Sequence, residues 1–267
     1  LIGNTPLVGI HNLSPNPAVK VYAKLEGQNP GGSVKDRIAL RMIEAAEKEG
    51  RLTPGDTILE PSSGNTGIGL AMICRVRGYK LRIVLPENVS IERRQLLEVF
   101  GAEIVSSPGE EGSNGAIRVA QELAQKGDAV FLYQYGNPAN PEAHYVGTGP
   151  EIWRDCPEVD VFVAGLGTSG TLMGVGRYLK EHKPSVQIVA VEPPAGEMVQ
   201  GLRSLDDGYV PPIFDPDVLD RKIVVRPRES IEWTRRVVNE CGIFAGISSG
   251  AALAGVAKVA EGMDQGT

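Results

Sequence analysis

The sequence predicts an α/β protein built on open, mostly parallel sheets with helices on their faces. From residue 57 onward, short apolar runs typical of strands alternate with segments of helical period, at the spacing of crossover units between parallel strands. The run 159–164 is apolar without alternation, as expected of a strand buried on both faces. Several helical segments stop at a glycine, among them those before Gly78 and Gly127.

In the first half of the chain, helix-start and helix-stop residues delimit the elements. Ser33 and Ser90 are candidate N-caps, and Gly50 ends the first helix. The predicted strands are 19–25, 57–60, 80–85, 103–105 and 129–133, and the predicted helices are 34–49, 67–77, 90–100 and 112–126.

The second half begins after residues 136–150, a stretch rich in Asn, Pro and Gly that is typical of a loop and where we place a domain junction. Residues 195–220 form another long irregular stretch, and a loop of that length in a compact chain is usually functional or mobile. The predicted strands are 159–164, 186–191 and 222–225, a strand-like run covers 243–247, and the predicted helices are 151–155, 170–182, 230–240 and 251–261.

Composition excludes several classes of protein. With 42% hydrophobic and 22% charged residues, the 267-residue chain can bury a sizeable core and is not disordered. A net charge of -6 without a basic stripe argues against nucleic acid as a partner, and no apolar run approaches a membrane span. Three widely spaced cysteines fit neither a zinc site nor a disulfide framework, so we expect a cytoplasmic location. We expect the chain to be trimmed at its amino end, which lacks an initiator Met, and at its carboxyl end, which stops without an obvious final strand.

Residues 29–37 place Lys35 in the first turn of a predicted helix, directly after the pair Gly31 and Gly32. The amino end of a helix carries partial positive charge, which disfavours a cation and so favours the neutral, nucleophilic form of an amine. The glycines let another molecule approach the backbone closely. Taken alone, these nine residues fit the simpler interpretation of a surface lysine at a charged helix start.

Two loops lie where an open parallel sheet binds ligands, at the carboxyl ends of strands. Residues 61–67 combine small hydroxyls with one amide before a helix, a set that suits a carboxylate ligand; an ordinary capped turn is the alternative. Residues 165–171 are rich in glycine, carry hydroxyls and open the next helix, as a phosphate-binding loop without Lys or Arg does. They lack the lysine of a P-loop and match a dinucleotide fingerprint only loosely.

Other polar residues carry weaker predictions. Residues 246–251, taken alone, indicate only a capped helix. His11, His144 and His182 are too widely spaced to ligate a metal, and we interpret them as loop or surface residues. No metal site is predicted.

Together these stretches resemble the cysteine synthase family of pyridoxal-phosphate enzymes, fold type II, and within it the B-type branch of O-acetylserine and O-phosphoserine sulfhydrylases. The resemblance runs along nearly the whole chain and rests on short motifs in a specific order and spacing. They are residues 2–7, 29–37, 63–67, 90–94, 137–140, 148–151, 167–171 and 246–251. The family implies two open, mostly parallel, twisted sheets. It also implies that the cofactor lies in the cleft between a smaller substrate-binding domain (27–137) and a larger cofactor-binding domain (1–26 plus 138–267).

The resemblance assigns a role to each matching residue. Lys35 would be catalytic, forming the internal aldimine with pyridoxal 5'-phosphate and acting as the base once substrate displaces it. Asn65 would hydrogen-bond the ring hydroxyl, and Ser248, rather than Ser249, would meet the pyridine nitrogen. The cofactor phosphate would be bound by Gly167, Thr168, Ser169, Gly170 and Thr171, and the substrate carboxylate by Ser62, Ser63, Thr66 and Gln134.

The implied reaction is a β-replacement that makes L-cysteine from O-acetylserine or O-phosphoserine and a sulfur donor through an aminoacrylate. A hydroxyl at the pyridine nitrogen leaves it largely neutral, and the weaker electron sink favours loss of the β-substituent over transamination. The family implies a homodimer, with serine acetyltransferase or a sulfur-carrier protein as possible partners. Cystathionine β-synthase and serine or threonine dehydratase are rivals of the same fold, and a non-catalytic relative that binds serine acetyltransferase is the rival of another class.

Two positions bear on the specificity of this chain. Arg203 matches a stretch that carries a phosphate-reading arginine in the phosphoserine-using branch, although some acetylserine enzymes share it. A solvated arginine beside Asp206 and Asp207 is the alternative. Ser169 stands where many relatives have glycine, a change that can add a hydroxyl donor to the phosphate loop.

Overall fold

The structure, a computed structural model, describes residues 1–62 and 64–267. The chain forms two compact units, the first made of Leu1–Ile2 with Asn29–Asn140 and the second of Gly3–Gln28 with Pro141–Thr267. The strands are β1 Leu7–Gly9, β2 Tyr22–Lys24, β3 Thr57–Pro61, β4 Lys80–Pro86, β5 Glu103–Ser107, β6 Val130–Phe131, β7 Val161–Gly165, β8 Gln187–Glu192 and β9 Arg221–Val224. The helices are α1 Lys35–Lys48, α2 Asn65–Arg77, α3 Ile91–Val99, α4 Gly112–Ala124, α5 Ala139–Ala143, α6 Gly149–Asp155, α7 Gly170–His182, α8 Pro227–Cys241 and α9 Ile247–Ala260.

The first unit is built on a four-stranded parallel sheet in the order β5-β4-β3-β6. β3 is therefore paired on both sides, and its side chains Ile58 and Leu59 are fully buried. Such strands are apolar because both faces are covered. Glu60 is the exception: its side chain is buried as completely as those of its apolar neighbours.

Helix α1 packs in the first unit through an apolar stripe that follows the helical period. Ile38, Met42, Ile43 and Ala46 on this stripe are all fully buried. The amide N–H of Lys35 donates to Ser33 Oγ at 3.2 Å, but the N-cap of the helix is Val34 and not the predicted Ser33. The helix therefore begins with Lys35 in its first turn, as predicted.

The second unit contains a three-stranded parallel sheet, β7-β8-β9, and an antiparallel pair, β1-β2. Helix α7 follows β7 directly and buries Leu172, Met173 and Val175. The helix comes very close to the chain before α6, because a Cβ on Gly174 would lie 2.1 Å from the carbonyl oxygen of Pro141. Only glycine fits at that contact, and the contact brings residues 141–145 against the start of α7.

The prediction of a loop over residues 136–150 is wrong from Ala139 onward. Helix α5, a π-helical turn over His144–Thr148 and the start of α6 together occupy most of this stretch. Pro141 lies in the first turn of α5 and Pro150 in the first turn of α6, where a missing N–H breaks no helical hydrogen bond of that helix. Prolines that commonly mark loops are compatible with helix at these positions.

Other element boundaries also differ from prediction. Residues 243–246 form no strand, although Ile243 and Ala245 pack on an apolar cluster around Val237. The strand expected at 19–25 is confined to β2. Helix α8 starts three residues early because Pro227 suits a first helical position and the N–H of Arg226 donates to Glu229 Oε2 at 2.8 Å.

The predicted fold class is confirmed, with two parallel sheets flanked by helices. Among the described residues, no helix combines the length and the apolar composition needed to cross a bilayer.

Candidate active site

Lys35 follows a loop whose shape is held by the next residue along the helix. The buried carboxylate of Asp36 accepts the N–H of Gly31 in a short hydrogen bond, and the N–H of Gly32 donates to the carbonyl of Asn29 at 2.8 Å. The loop therefore folds back on the first turn of α1, and the half-buried Lys35 side chain starts from a rigid base. An amine carried on a fixed helix start suits a covalent role better than one on a mobile loop.

The loop after β3 places hydroxyl side chains at the start of α2. Ser62 is buried, and its Oγ accepts the N–H of Gly67 at 2.9 Å. Asn65 is the exposed first residue of α2, and Thr66 behind it is buried. Ser63, which the sequence also assigns to this loop, lies outside the described residues. The arrangement is a helix amino end with hydroxyls around it, which favours an anionic group.

Gln134 is brought to the same loop by three hydrogen bonds. Its backbone N–H donates to Glu60 Oε1 at 3.0 Å, its Nε2 donates to the carbonyl of Pro61 at 3.1 Å, and its Oε1 accepts the hydroxyl of Thr66 at 2.8 Å. Thr66 and Gln134, which lie 68 residues apart, thus form a contact inside the first unit. The structure brings together two of the four residues predicted to hold a carboxylate ligand.

Glu60 beneath this contact is a residue that the sequence analysis missed. Burial raises its pKa from an ordinary 4.5 to about 8, partly offset by the backbone N–H groups of Gln134 and Tyr133 and by the Gln134 side chain. Its carboxyl group is consequently protonated at neutral pH. The sequence does carry a signal for this residue, because Glu60 is an ionisable side chain within an otherwise apolar predicted strand.

In the second unit, residues 165–171 form a tight turn between β7 and α7. A Cβ on Gly167 would lie 2.8 Å from the carbonyl oxygen of Gly201, so the turn requires glycine there. Ser169 is the N-cap of α7 and has a left-handed backbone with φ of 72°. Its buried Oγ has no hydrogen-bond partner among the described residues.

His144 approaches the same turn from the π-helical segment. Its Nε2 lies 3.2 Å from Thr171 Oγ1, and its Nδ1 lies 3.0 Å from Thr148 Oγ1. The side chain is 1% exposed, so the prediction of a loop or surface residue is wrong for His144. Close packing of α7 at Gly174 buries the ring, a tertiary effect that the local sequence does not contain.

Ser248 and Arg203 also lie close to the turn. Gly201, whose carbonyl faces Gly167, is so near α9 that a Cβ on it would stand 3.8 Å from Cβ of Ser248. The N–H of Arg203 donates to the carbonyl of Leu166, within the turn, at 2.8 Å. The Arg203 guanidinium stacks 4.6 Å above the ring centre of Tyr209. Ser249, the other serine considered, is exposed.

The turn fits a phosphate group on its own geometry. It offers the amino end of a 13-residue helix and a glycine, Gly167, where the carbonyl of Gly201 leaves no room for a side chain. It also offers a buried hydroxyl, that of Ser169, to which a ligand could hydrogen-bond. The residues therefore fit the phosphate of pyridoxal phosphate. Among residues 1–62 and 64–267, no group of three or more His, Cys, Asp or Glu side chains is placed to hold a metal ion.

Known proteins resemble this chain over its full length. A family model described as pyridoxal-phosphate dependent enzyme matches residues 1–267. The cysteine synthases of Staphylococcus aureus strains Mu50 and N315 are 48% identical to it over 275 residues, covering 100% of this chain and 89% of each relative. A solved O-ureido-L-serine synthase superposes with a TM-score of 0.94 at 41% identity, covering 100% of this chain and 87% of the other. A cysteine synthase from Entamoeba histolytica gives a TM-score of 0.89 at 38% identity, covering 97% and 81%.

These comparisons confirm the predicted cofactor class. The structure separately shows a lysine at the first residue of α1 in one unit and a hydroxyl-bearing turn before α7 in the other. The chain belongs to the family of pyridoxal-phosphate dependent enzymes.

Proposed function

We propose that this enzyme is a cysteine synthase of the B type, which replaces the β-substituent of an activated serine with sulfur to give L-cysteine. The observation that carries the proposal is a full-length match, at 48% identity, to relatives named cysteine synthase. Lys35 at the first residue of α1 and the hydroxyl-rich turn before α7 supply the groups that such a reaction needs.

Lys35 is proposed to bind the cofactor aldehyde and, once substrate takes its place, to hold the α-proton at Nζ. When bound, the cofactor supplies the electron sink that stabilises negative charge at the α-carbon. Asn65 at the start of α2 is proposed to orient the cofactor ring by a hydrogen bond to the hydroxyl group of that ring. Ser248 is proposed to contact the ring nitrogen through Oγ. A hydroxyl there leaves the nitrogen largely neutral, which favours loss of a β-substituent.

The cofactor phosphate is proposed to bind Gly167, Thr168, Ser169, Gly170 and Thr171. His144 supports this role through its contact with the Thr171 hydroxyl. A neutral imidazole has one donor and one acceptor nitrogen. If Nε2 donates to Thr171 Oγ1, the Thr171 hydroxyl hydrogen is left for the phosphate, and Nδ1 accepts from Thr148.

The substrate carboxylate is proposed to bind Ser62, Ser63, Thr66 and Gln134. The amino end of α2 supports this proposal, because it favours an anionic group at one end of a parallel sheet, and the Thr66 hydroxyl fixes the Gln134 side chain by donating to its Oε1. We accordingly assign substrate binding to the smaller domain, 27–137, and cofactor binding to the larger, 1–26 plus 138–267.

The leaving group is proposed to be acetate or phosphate, and the phosphate of O-phosphoserine is proposed to be read by Arg203. Its guanidinium is half-buried and stacked on Tyr209, which restrains a side chain that would otherwise move freely. A homodimer with serine acetyltransferase or a sulfur-carrier protein as partner, and a cytoplasmic location, follow from the family resemblance and belong to the same proposal.

Absorbance spectra of the purified protein, titrated separately with O-acetylserine and O-phosphoserine, test the proposal. We expect a visible cofactor band that shifts with each amino acid and is restored by sulfide with release of L-cysteine. A band that never responds to amino acid would indicate a non-catalytic relative. Turnover with homocysteine but not sulfide would indicate a cystathionine β-synthase, and release of a keto acid without any nucleophile a dehydratase.

A second candidate follows from the superposition on O-ureido-L-serine synthase at a TM-score of 0.94. That enzyme's name implies that an oxygen nucleophile of a urea derivative becomes the new β-substituent of serine. The same titration with hydroxyurea in place of sulfide separates the two candidates. Faster recovery with hydroxyurea than with sulfide would favour the second.

A further inference from the structure

Glu60 occupies a position where the regular pairing of the first sheet stops. Strand β6 pairs with β3 at Ile58 and Leu59, and the N–H of Leu132 still donates to the carbonyl of Leu59 at 3.2 Å. The next residue, Tyr133, has a left-handed backbone with φ of 55°. After this kink the chain leaves the sheet. The N–H of the following residue, Gln134, therefore has no carbonyl of β3 to bond in the regular pattern of the sheet.

The Glu60 side chain supplies the missing acceptor. Its Oε1 accepts the N–H of Gln134 at 3.0 Å in a fully buried setting. A non-glycine residue in a left-handed conformation is strained and persists only where its surroundings hold it. The carboxyl group thus holds the kink at Tyr133 by bonding the residue that follows it.

The kink determines where the Gln134 side chain points. With its N–H bonded to Glu60, Gln134 reaches the carbonyl of Pro61 with Nε2 and the hydroxyl of Thr66 with Oε1. Asn140 Nδ2 donates to the Gln134 carbonyl at 2.8 Å from the other side. Three of these four contacts are made by residues 60–66. Among these three, the contact with Glu60 is the one made to the backbone of Gln134.

We propose that Glu60 is a positioning residue that, by bonding the N–H of Gln134, sets the geometry in which Gln134 and Thr66 receive the substrate's α-carboxylate. This inference rests on the carboxylate role given to Gln134 and Thr66 in the proposed function. Burial, which raises the Glu60 pKa to about 8, keeps the group neutral, so it does not repel an anionic ligand. Neutral Glu60 can accept the N–H of Gln134, whereas an ionised Glu60 would repel the substrate carboxylate and weaken its binding.

Four variants test the inference in the cofactor-loaded enzyme. Glu60→Gln keeps an oxygen acceptor at the same reach, and Glu60→Met keeps the volume without an acceptor. Glu60→Asp keeps the carboxyl but withdraws it by one methylene, which guards against a Met variant that does not fold. The control is Glu103→Gln on β5 of the same sheet, whose exposed carboxylate pairs with Arg82 at 3.0 Å.

Two measurements are made on each variant. Hydrogen exchange of peptides covering residues 130–136, without substrate, reports the backbone bond. Steady-state KM and kcat with O-acetylserine and sulfide report carboxylate binding. In Glu60→Met and Glu60→Asp we expect exchange and KM to rise about tenfold with kcat within about twofold, because a buried N–H loses its acceptor. Glu60→Gln and Glu103→Gln are expected to match the parent in both.

The inference is overturned if exchange or KM in Glu60→Met and Glu60→Asp equals that of the parent. It is also overturned if kcat falls as far as KM rises, or if Glu60→Gln loses as much as Glu60→Met, since either result indicates general damage to the core. The exchange measurement does not depend on catalysis. A parent protein without cysteine synthase activity would therefore refute the proposed function, while exchange still decides whether Glu60 holds Gln134.

Discussion

The Nε2 atom of His144 lies 3.2 Å from Oγ1 of Thr171, which joins a π-helical turn to the first turn of α7. Both residues belong to the second unit, and His144 is almost completely buried. The contact links a side chain 27 positions upstream to the proposed phosphate loop. His144 is therefore suited to fix the direction in which the Thr171 hydroxyl donates.

Replacing His144 is expected to weaken cofactor binding. In His144→Phe an aromatic ring is kept, but Thr171 and Thr148 both lose their partner. The loss of about 1 kcal/mol for one hydrogen bond predicts a rise of about fivefold in the cofactor dissociation constant. Absorbance titration of the stripped protein with pyridoxal phosphate measures it. His182→Phe, at an exposed histidine, is the control, and equal effects in the two variants would contradict the assignment.

Ser169 is expected to show opposite effects on stability and on cofactor binding. The left-handed backbone at this position strains any residue that has a Cβ. Without cofactor, the free energy of unfolding of Ser169→Gly should therefore be about 1 kcal/mol higher than that of Ser169→Ala. Both variants lack the buried hydroxyl and should bind pyridoxal phosphate about threefold or more weakly than the parent. Urea unfolding and cofactor titration give the two quantities. Cofactor affinity that does not change in either variant would exclude the hydroxyl from the phosphate site.

The buried Glu60 predicts a pH-dependent stability difference. Its pKa is raised from 4.5 to about 8 on folding, so the folded state binds more protons between these values. The stability it contributes is fully present below about pH 4.5 and is lost progressively as the pH rises towards 8. The Gln side chain of Glu60→Gln does not titrate. The free energy of unfolding of this variant, relative to that of the parent, should therefore rise by about 3 kcal/mol between pH 4.5 and pH 7. Urea unfolding across this range measures the difference, and a constant difference would show that the carboxyl does not titrate abnormally.

Arg203 is expected to distinguish the two activated serines. Arg203→Ala should lower kcat/KM with O-phosphoserine by about tenfold or more, because one charge-assisted hydrogen bond to the phosphate is lost. The same variant should change kcat/KM with O-acetylserine little. Arg203→Lys keeps the charge but not the planar fork, so it should recover only part of the loss. Parallel assays with the two substrates provide the ratio. Equal losses on both substrates would make Arg203 a structural residue of the segment that stacks on Tyr209.

Much of the fold could be predicted because its signals are local. The apolar runs of β3, β4, β7 and β8 and the cap and stop residues of their helices all lie within a few positions of one another. Helix α7 has the predicted bounds, 170–182. The irregular stretch at 136–150 was predicted wrongly because Pro141 and Pro150 lie in first turns, a distinction that composition cannot make.

The candidate site was predictable in its loops but not in its supporting residues. Lys35 and Ser169 stand at helix starts that the motifs mark directly. His144 and Glu60 owe their importance to burial, which depends on how α7 packs at Gly174 and on the kink at Tyr133. Neither determinant is a local property, so only the folded chain reveals it.

The central claim is that the nitrogen of Lys35 carries the cofactor. Reduction of the purified, loaded enzyme with borohydride makes a cofactor–lysine bond permanent, and peptide mass spectrometry then identifies the modified residue. The account predicts pyridoxyl phosphate on the peptide that contains Lys35, and no stable attachment in Lys35→Ala. Modification of a different lysine, or a Lys35→Ala protein labelled as fully as the parent, would contradict it.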